Sequence, residues 1–168
     1  MKLFKLSVAT LALAAATNAF AEDYPKHAIT LVVPYTAGGP TDVVARSLGA
    51  ELGKILKQPI VVENKTGAGG TIAPTYVSTS KPDGYTFLIH HNGMATATAL
   101  YKNLKYDPVN GFEHVGEVVD VPMTLLGRSD LEPNTFAEFV EYAKKNADKI
   151  NLANAGIGAV SQLCGTML

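Results

Sequence analysis

Three glycine-bearing stretches carry the most chemical information in this chain: Thr36-Ala37-Gly38-Gly39-Pro40, Gly67-Ala68-Gly69-Gly70 and Gly156-Ile157-Gly158. Each stands between an apolar run that reads as a strand and a segment that reads as a helix. Glycine lets a ligand approach the backbone closely, and a helix start aims unpaired N–H groups at it. Such turns form an anion site without lysine or arginine, suited to a carboxylate or a phosphate. One strand-to-helix turn with glycine is ordinary loop chemistry, whereas three in one chain tilt the reading toward a site. In open α/β sheets, ligands bind beyond the carboxyl ends of the strands, where such turns gather.

Sharper chemistries fit less well. Gly67-Ala68-Gly69-Gly70 invites a dinucleotide-binding reading, but the third glycine of that fingerprint falls at Ile72. Nor does an acidic residue stand about 20 positions further on to hold a ribose hydroxyl. The histidines, His27, His90, His91 and His114, show no metal-ligand spacing, and Cys164 is the single cysteine. No metal site and no internal disulfide is therefore expected. His90-His91 follows a strand at its carboxyl end, and neighbours on a strand point to opposite faces. One of the two imidazoles could face a pocket there; a capping or packing role is an equal reading for either. Ser161 sits three residues after Gly158, where its hydroxyl either contacts a bound anion or simply caps a helix. No serine lies in a Gly-x-Ser-x-Gly elbow, and no carboxylate pair is placed for acid–base work. The residues argue for binding rather than catalysis, with no cofactor.

The elements that must position these turns are legible. Ile29 to Tyr35 is a near-continuous apolar, β-branched run, as in a strand buried on both faces of a parallel sheet. Pro40 suits the first turn of a helix, Asp42 sits at its positive end, and Val44, Leu48, Leu52 and Ile55/Leu56 form an apolar stripe. Gln58-Pro59 ends that helix, and Ile60 to Glu63 is a short strand. Thr71 to Ser80 is a short helix, and Lys81-Pro82-Asp83-Gly84 turns the chain into a third strand, Tyr85 to Ile89. Strands alternating with helices imply a parallel α/β sheet. Tyr106 to Gly111 is rich in turn formers and marks a domain crossing. Beyond it, Val115 to Val121, Met123 to Leu126 and Asn151 to Ala155 are expected as strands. Thr135-Phe136-Ala137-Glu138 is a capping box opening a helix with Phe136, Phe139, Val140 and Ala143 on its apolar face, and a last helix begins at Ala159.

Lys2 and Lys5, the apolar stretch Leu6 to Ala16 and Ala19-Phe20-Ala21 read as a secretory signal over residues 1–21, cleaved near Ala21. The apolar run is well short of the roughly 20 residues that cross a bilayer. Cleavage removes two lysines and leaves 12 basic against 15 acidic residues, a net charge of −3 on 147 residues. That balance, without a basic stripe, makes nucleic acid a poor partner. The 47 % apolar composition allows a domain held by packing alone. Asn64-Lys65-Thr66 matches the glycosylation triplet, which reads as a chance match. The chain stops at Leu168 within a helix, without a capping glycine or a polar tail, which suggests truncation within an architectural unit.

Tyr24-Pro25 followed by Ile29-Thr-Leu-Val-Val-Pro-Tyr-Thr-Ala-Gly-Gly-Pro-Thr-Asp42 closely resembles the start of the Bug receptors, the extracytoplasmic solute-binding proteins of tripartite tricarboxylate transporters. Gln58 to Asn64, Gly67 to Thr71, Pro82 to Thr86, Leu100-Tyr101, and Tyr106-Asp107-Pro108 with Phe112 continue the resemblance in order. It implies a periplasmic binding protein type II-like α/β fold of two Rossmann-like lobes around a cleft. Lobe 1 would span residues 22–106 and a partial lobe 2 residues 107–168, the second lobe incomplete. It also implies that backbone groups at the glycine turns hold a ligand carboxylate. By position, Tyr35, Ala37, Gly38, Gly39, Gly69 and Gly70 would line one side, with His91 and Asn92 at the cleft floor. Gly156, Gly158 and Ser161 would come from the second lobe. The family's common Ser-His pair is Ser161-Gln162 here, which puts the local packing or ligand preference in doubt. The implied protein is periplasmic and monomeric by default, and delivers a small carboxylate to integral-membrane permease subunits. An exported α/β hydrolase and a non-functional truncated remnant are the alternatives. The hydrolase needs a nucleophile with a base, which these residues do not assemble.

Overall fold

The computed structural model describes residues 24–168, so the export segment read at residues 1–21 lies outside the described residues. Strand β1 (Ile29–Val33) leads into helix α1 (Pro40–Leu56), and strand β2 (Ile60–Asn64) follows. A 3-10 turn (Ala68–Gly70) and helix α2 (Ile72–Ser78) return the chain to strand β3 (Thr86–Leu88). Helices α3 (Gly93–Leu100), α4 (Phe136–Lys145) and α5 (Val160–Thr166) complete the elements used below.

The strands form one parallel sheet in the order β2-β1-β3, with Ile29 opposite Ile60 and Thr30 opposite Thr86. Val32 and Val33 are adjacent, point to opposite faces and are both 0 % exposed. Both faces of the central strand are therefore covered, as its unbroken β-branched run demands. Helix α1 packs on β1 and β2, and α2 on β1 and β3. Gly49 is where α1 crosses closest: a Cβ there would stand 3.1 Å from Ile60 Cγ2. Glycine inside a helix costs about 1 kcal/mol of propensity relative to alanine, and here it permits that approach. Lys57, in the left-handed region at φ 55°, ends α1 just before Gln58-Pro59.

The chain leaves β1 toward β2 on one side and later toward β3 on the other. This reversal of direction opens a crevice at the carboxyl ends of β1 and β3. The residues that follow those ends are the first glycine turn and His90-His91-Asn92.

Three expectations are corrected. Residues 115–121, 123–126 and 151–155 form no strand. Val115, Val118, Val119, Val121, Met123 and Leu126 are exposed. A β-branched run stays a strand only when a neighbour takes up its N–H and C=O groups, and among the described residues none pairs with it. Helix α3, in contrast, carries no sequence assignment: its Thr96 and Thr98 alternate with alanines and hide a helical period. No described helix is long and apolar enough to cross a membrane.

Candidate functional site

The first glycine turn is braced by a buried carboxylate. Asp42 is 1 % exposed, and its Oδ2 accepts from the Gly38 N–H at 2.8 Å and from Arg46 Nε at 2.8 Å. Its Oδ1 accepts from a second guanidinium nitrogen of Arg46 at 3.0 Å and from Asn64 Nδ2 at 2.9 Å. Asn64 also donates to the carbonyl of Tyr35 at 2.9 Å. Asp42 and Asn64 together thus tie the end of β1, the turn, α1 and the end of β2. Hydrogen bonding to Arg46, and then to Gly38 and Asn64, holds the Asp42 carboxyl far below the usual carboxylate range. Gly39 is the N-cap of α1, with no side chain capping it and Pro40 in the first turn. The first amides of the helix are left without intrahelical partners.

The second turn runs through four consecutive residues of positive φ, Gly67 at 123°, Ala68 at 47°, Gly69 at 62° and Gly70 at 93°. A Cβ on Gly70 would stand 2.9 Å from the Tyr35 hydroxyl, so the turn lies against that phenol. Burial, then the neighbouring Tyr106 and Tyr101, pushes the Tyr35 hydroxyl up to about 12. The hydroxyls of Tyr35 and Tyr106 are buried and have no hydrogen-bond partner among the described residues.

His90 and His91 sit between these turns. The Tyr35 ring stacks on His91 at 4.6 Å, with the planes 11° apart. His90 Nδ1 lies 2.8 Å from the His91 N–H and 2.9 Å from the His91 carbonyl, and its Nε2 lies 3.2 Å from the carbonyl of Gly70. The N–H of Gly93 donates to His91 Nδ1 at 2.9 Å, so the neutral His91 ring carries its proton on Nε2. Burial, then the His90 ring, depresses His91 to about 4, and burial depresses His90 as well. At neutral pH both rings are uncharged.

The third turn, with Gly156 at φ 108° and Gly158 at φ 85°, lies directly on the second. A Cβ on Gly156 would stand 3.8 Å from Gly69 Cα. Ser161 Oγ accepts from the Ala155 N–H at 3.1 Å, a bond to the preceding loop and not a cap of its own helix, and its own proton remains available to donate. Asn154 Oδ1 accepts from the Gly156 N–H at 2.9 Å.

A hollow of about 1710 Å³ runs along this junction. Of the sequence-read residues, Tyr35, Gly39, Gly69, Gly70, His91, Asn92 and Ser161 line it, and Ala37, Gly38, Gly156 and Gly158 do not; His90 lines it beside His91, so both imidazoles face the hollow where one was expected. Its size exceeds the roughly 300–1,000 Å³ of a single small-molecule pocket. The excess continues along Leu48, Leu52, Phe87 and residues 111–124, and Lys81 lies at the amino ends of the strands. At the glycine-turn end the wall has hydroxyl, imidazole and amide groups and no lysine or arginine. Among the described residues no three His, Cys, Asp or Glu side chains gather to hold a metal ion.

Sequence reading missed two contributors. Asp42 reads as a helix-dipole residue; the Arg46 four positions on was the available signal for its ion pair. Tyr101, whose hydroxyl donates to the carbonyl of Ile157 at 2.9 Å, pairs with a residue 56 positions away and left no local trace.

A parallel α/β unit presenting glycine turns at the carboxyl ends of its strands is the framework of a periplasmic binding protein, and solved structures of that class match. BugD, a periplasmic binding protein, is 58% identical and superposes with a TM-score of 0.83 over 86% of this chain and 48% of its own. MatC of Rhodopseudomonas palustris, solved with bound malate, is 43% identical with a TM-score of 0.76, over 82% of this chain and 47% of its own. A relative from the TAR-I ttuE-ttuC' intergenic region of Agrobacterium vitis is 48% identical over 88% of this chain and 42% of its own length. Residues 44–168 match the tripartite tricarboxylate transporter family receptor model. The chain belongs to that receptor family. It spans about half the length of the curated relatives it matches, 42% of the Agrobacterium protein and 48% of BugT from Bordetella pertussis.

Proposed function

We propose that this chain captures a small carboxylate-bearing solute in the periplasm and delivers it to the integral-membrane permease subunits of a tripartite tricarboxylate-type transporter. The carrying observation is the junction of the glycine turns, where backbone amides, the Tyr35 ring and the neutral imidazole of His91 meet at one end of a hollow whose lining lysine, Lys81, stands at the other end. Neutral, fixed donors recognise a carboxylate through hydrogen bonds that do not require a counter-charge. A dicarboxylate is favoured within that class, because MatC was solved with malate and another Rhodopseudomonas palustris protein, 32% identical, with adipate. Tyr35, Gly39, Gly69, Gly70, His91, Asn92 and Ser161 touch the solute in this reading, and Ala37, Gly38, Gly156 and Gly158 shape the turns behind them. Residues 22–106 form the first lobe, and residues 107–168 contribute to the second. The protein acts as a receptor and not as an enzyme, exported by a signal cleaved near Ala21. Calorimetric titration of the purified chain with malate, succinate and adipate, beside amino acids and aromatic acids, should find one-to-one binding of a dicarboxylate. Failure of every carboxylate in that panel to release or absorb heat overturns the reading.

A further inference from the structure

Tyr101 closes α3, and its hydroxyl crosses to the third glycine turn, where it donates to the carbonyl of Ile157 at 2.9 Å. One turn earlier on the same helix, Thr96 Oγ1 lies 3.3 Å from the carbonyl of Gly158. Tyr101 therefore holds a loop more than 50 residues away, while the single Thr96 proton is shared between the Gly158 carbonyl and the Gly93 carbonyl of its own helix, also at 3.3 Å. The second glycine turn makes room for this contact. A Cβ on Gly69 would overlap both the Tyr101 hydroxyl and the Ile157 carbonyl. The absent side chain of Gly69 is thus filled by a protein contact.

Neither Tyr101 nor Thr96 lines the hollow, so neither touches a bound solute. Yet turn 67–70 lines its glycine end, and turn 156–158 packs against that turn and carries Ala155, Ala159 and Ser161, which line the hollow on either side of it. We propose that Tyr101 is a positioning residue whose hydroxyl latches the third glycine turn against the second and so sets the width of the binding cleft. The inference rests on the receptor reading for its consequence, but not for its geometry. A single side-chain-to-carbonyl bond between separate elements is either made or broken, so it biases two arrangements of the turn. Breaking it lets a captured solute escape, while encounter with an already open cleft is unhindered. The loss therefore falls on the dissociation rate.

Tyr101→Phe removes the donor and keeps the ring. Gly69→Ala keeps the donor and pushes it off its acceptor, so the two variants break the same bond from opposite sides. In the solute-free chain, amide hydrogen exchange should accelerate by roughly five- to tenfold at Gly158 and Ala159 in both variants, the range one net hydrogen bond supports. Exchange at Val32 and Val33 in the central strand should stay as in the parent. Unchanged exchange at the turn, or an equal acceleration in the strand, overturns the latch. With malate as the probe, stopped-flow binding to Tyr101→Phe should show dissociation faster by a similar factor and association unchanged. A loss confined to association also overturns it. A parent chain that does not bind malate or any other carboxylate refutes the receptor reading, and the exchange measurement still decides the latch.

Discussion

Residues 24–106 and residues 107–168 are held by different forces. The first stretch contains all the strands and nearly all the buried apolar side chains, among them Ile29, Leu31, Val32, Val33, Ala45, Ala73 and Ala97. The second contains no strand, and of its apolar side chains only Ala159 is buried. Helix α4 has no buried residue at all. It stands on local chemistry: the Thr135 side chain accepts from the Glu138 N–H at 3.3 Å, and Glu138 Oε2 accepts from the Thr135 N–H at 3.1 Å. Local hydrogen bonds can shape a helix where no core has assembled, but a sheet requires partners distant in sequence. The two meet at the glycine turns, where the second stretch buries Gly158 and Ala159 against the first.

The sharpest way to break this comparison is to place the same charge in both regions. Val32→Asp puts a carboxylate into the fully enclosed centre of β1, where no cation waits for it. A loss of about 4 kcal/mol or more is expected, enough to abolish a cooperative urea transition. Val119→Asp, at a residue 51 % exposed, should stay within about 0.5 kcal/mol of the parent. Equal losses in the two variants would show that residues 114–126 are as firmly packed as the sheet.

The contrast also explains what the sequence disclosed. The Pro40–Leu56 helix is recovered end to end because a first-turn proline, an apolar stripe and a terminating Gln58-Pro59 all act locally. The capping box at Thr135 and Glu138 is recovered for the same reason. Of the site, the glycine turns and the strand end at His91-Asn92 were legible, because positive φ and close approach demand glycine. The strands read at 115–126 failed because β-branched composition states a preference, while pairing depends on partners elsewhere. The Asp42–Asn64 and Tyr101–Ile157 bonds were hidden because they join segments that only the fold brings together.

Acid should distinguish the regions next. His91 titrates near 4 in the fold against about 6.5 in an unfolded chain. Between those values the unfolded chain binds a proton that the fold refuses. The stabilisation is therefore complete above pH 6.5 and lost as pH falls toward 4, and the depressed His90 acts in the same direction. Because the His91 ring is only partly enclosed, the share it carries is on the order of 1–2 kcal/mol after solvent screening. Asp42, held below its ordinary value, adds its loss only below about pH 4. Urea unfolding at pH 7.5, 5.5 and 4.5 should show the decline. His91→Asn, whose amide oxygen can still accept from Gly93, should flatten part of it. An unchanged slope in that variant would remove His91 from the acid response.

The smallest effect probes the helix without a core. Removing the N-cap hydroxyl in Thr135→Ala costs a helix about 1 kcal/mol. In the sheet region that sum would be shared by every element, because strands and helices there unfold together. Helix α4 has no fully buried residue, so the cost should appear as local fraying. Amide exchange at Phe139 and Val140 should quicken several-fold while the urea midpoint of the chain barely moves. A midpoint shift matching the full cost of the cap would mean that α4 and the sheet unfold as one cooperative unit, and the division into a packed and a locally held region would fail.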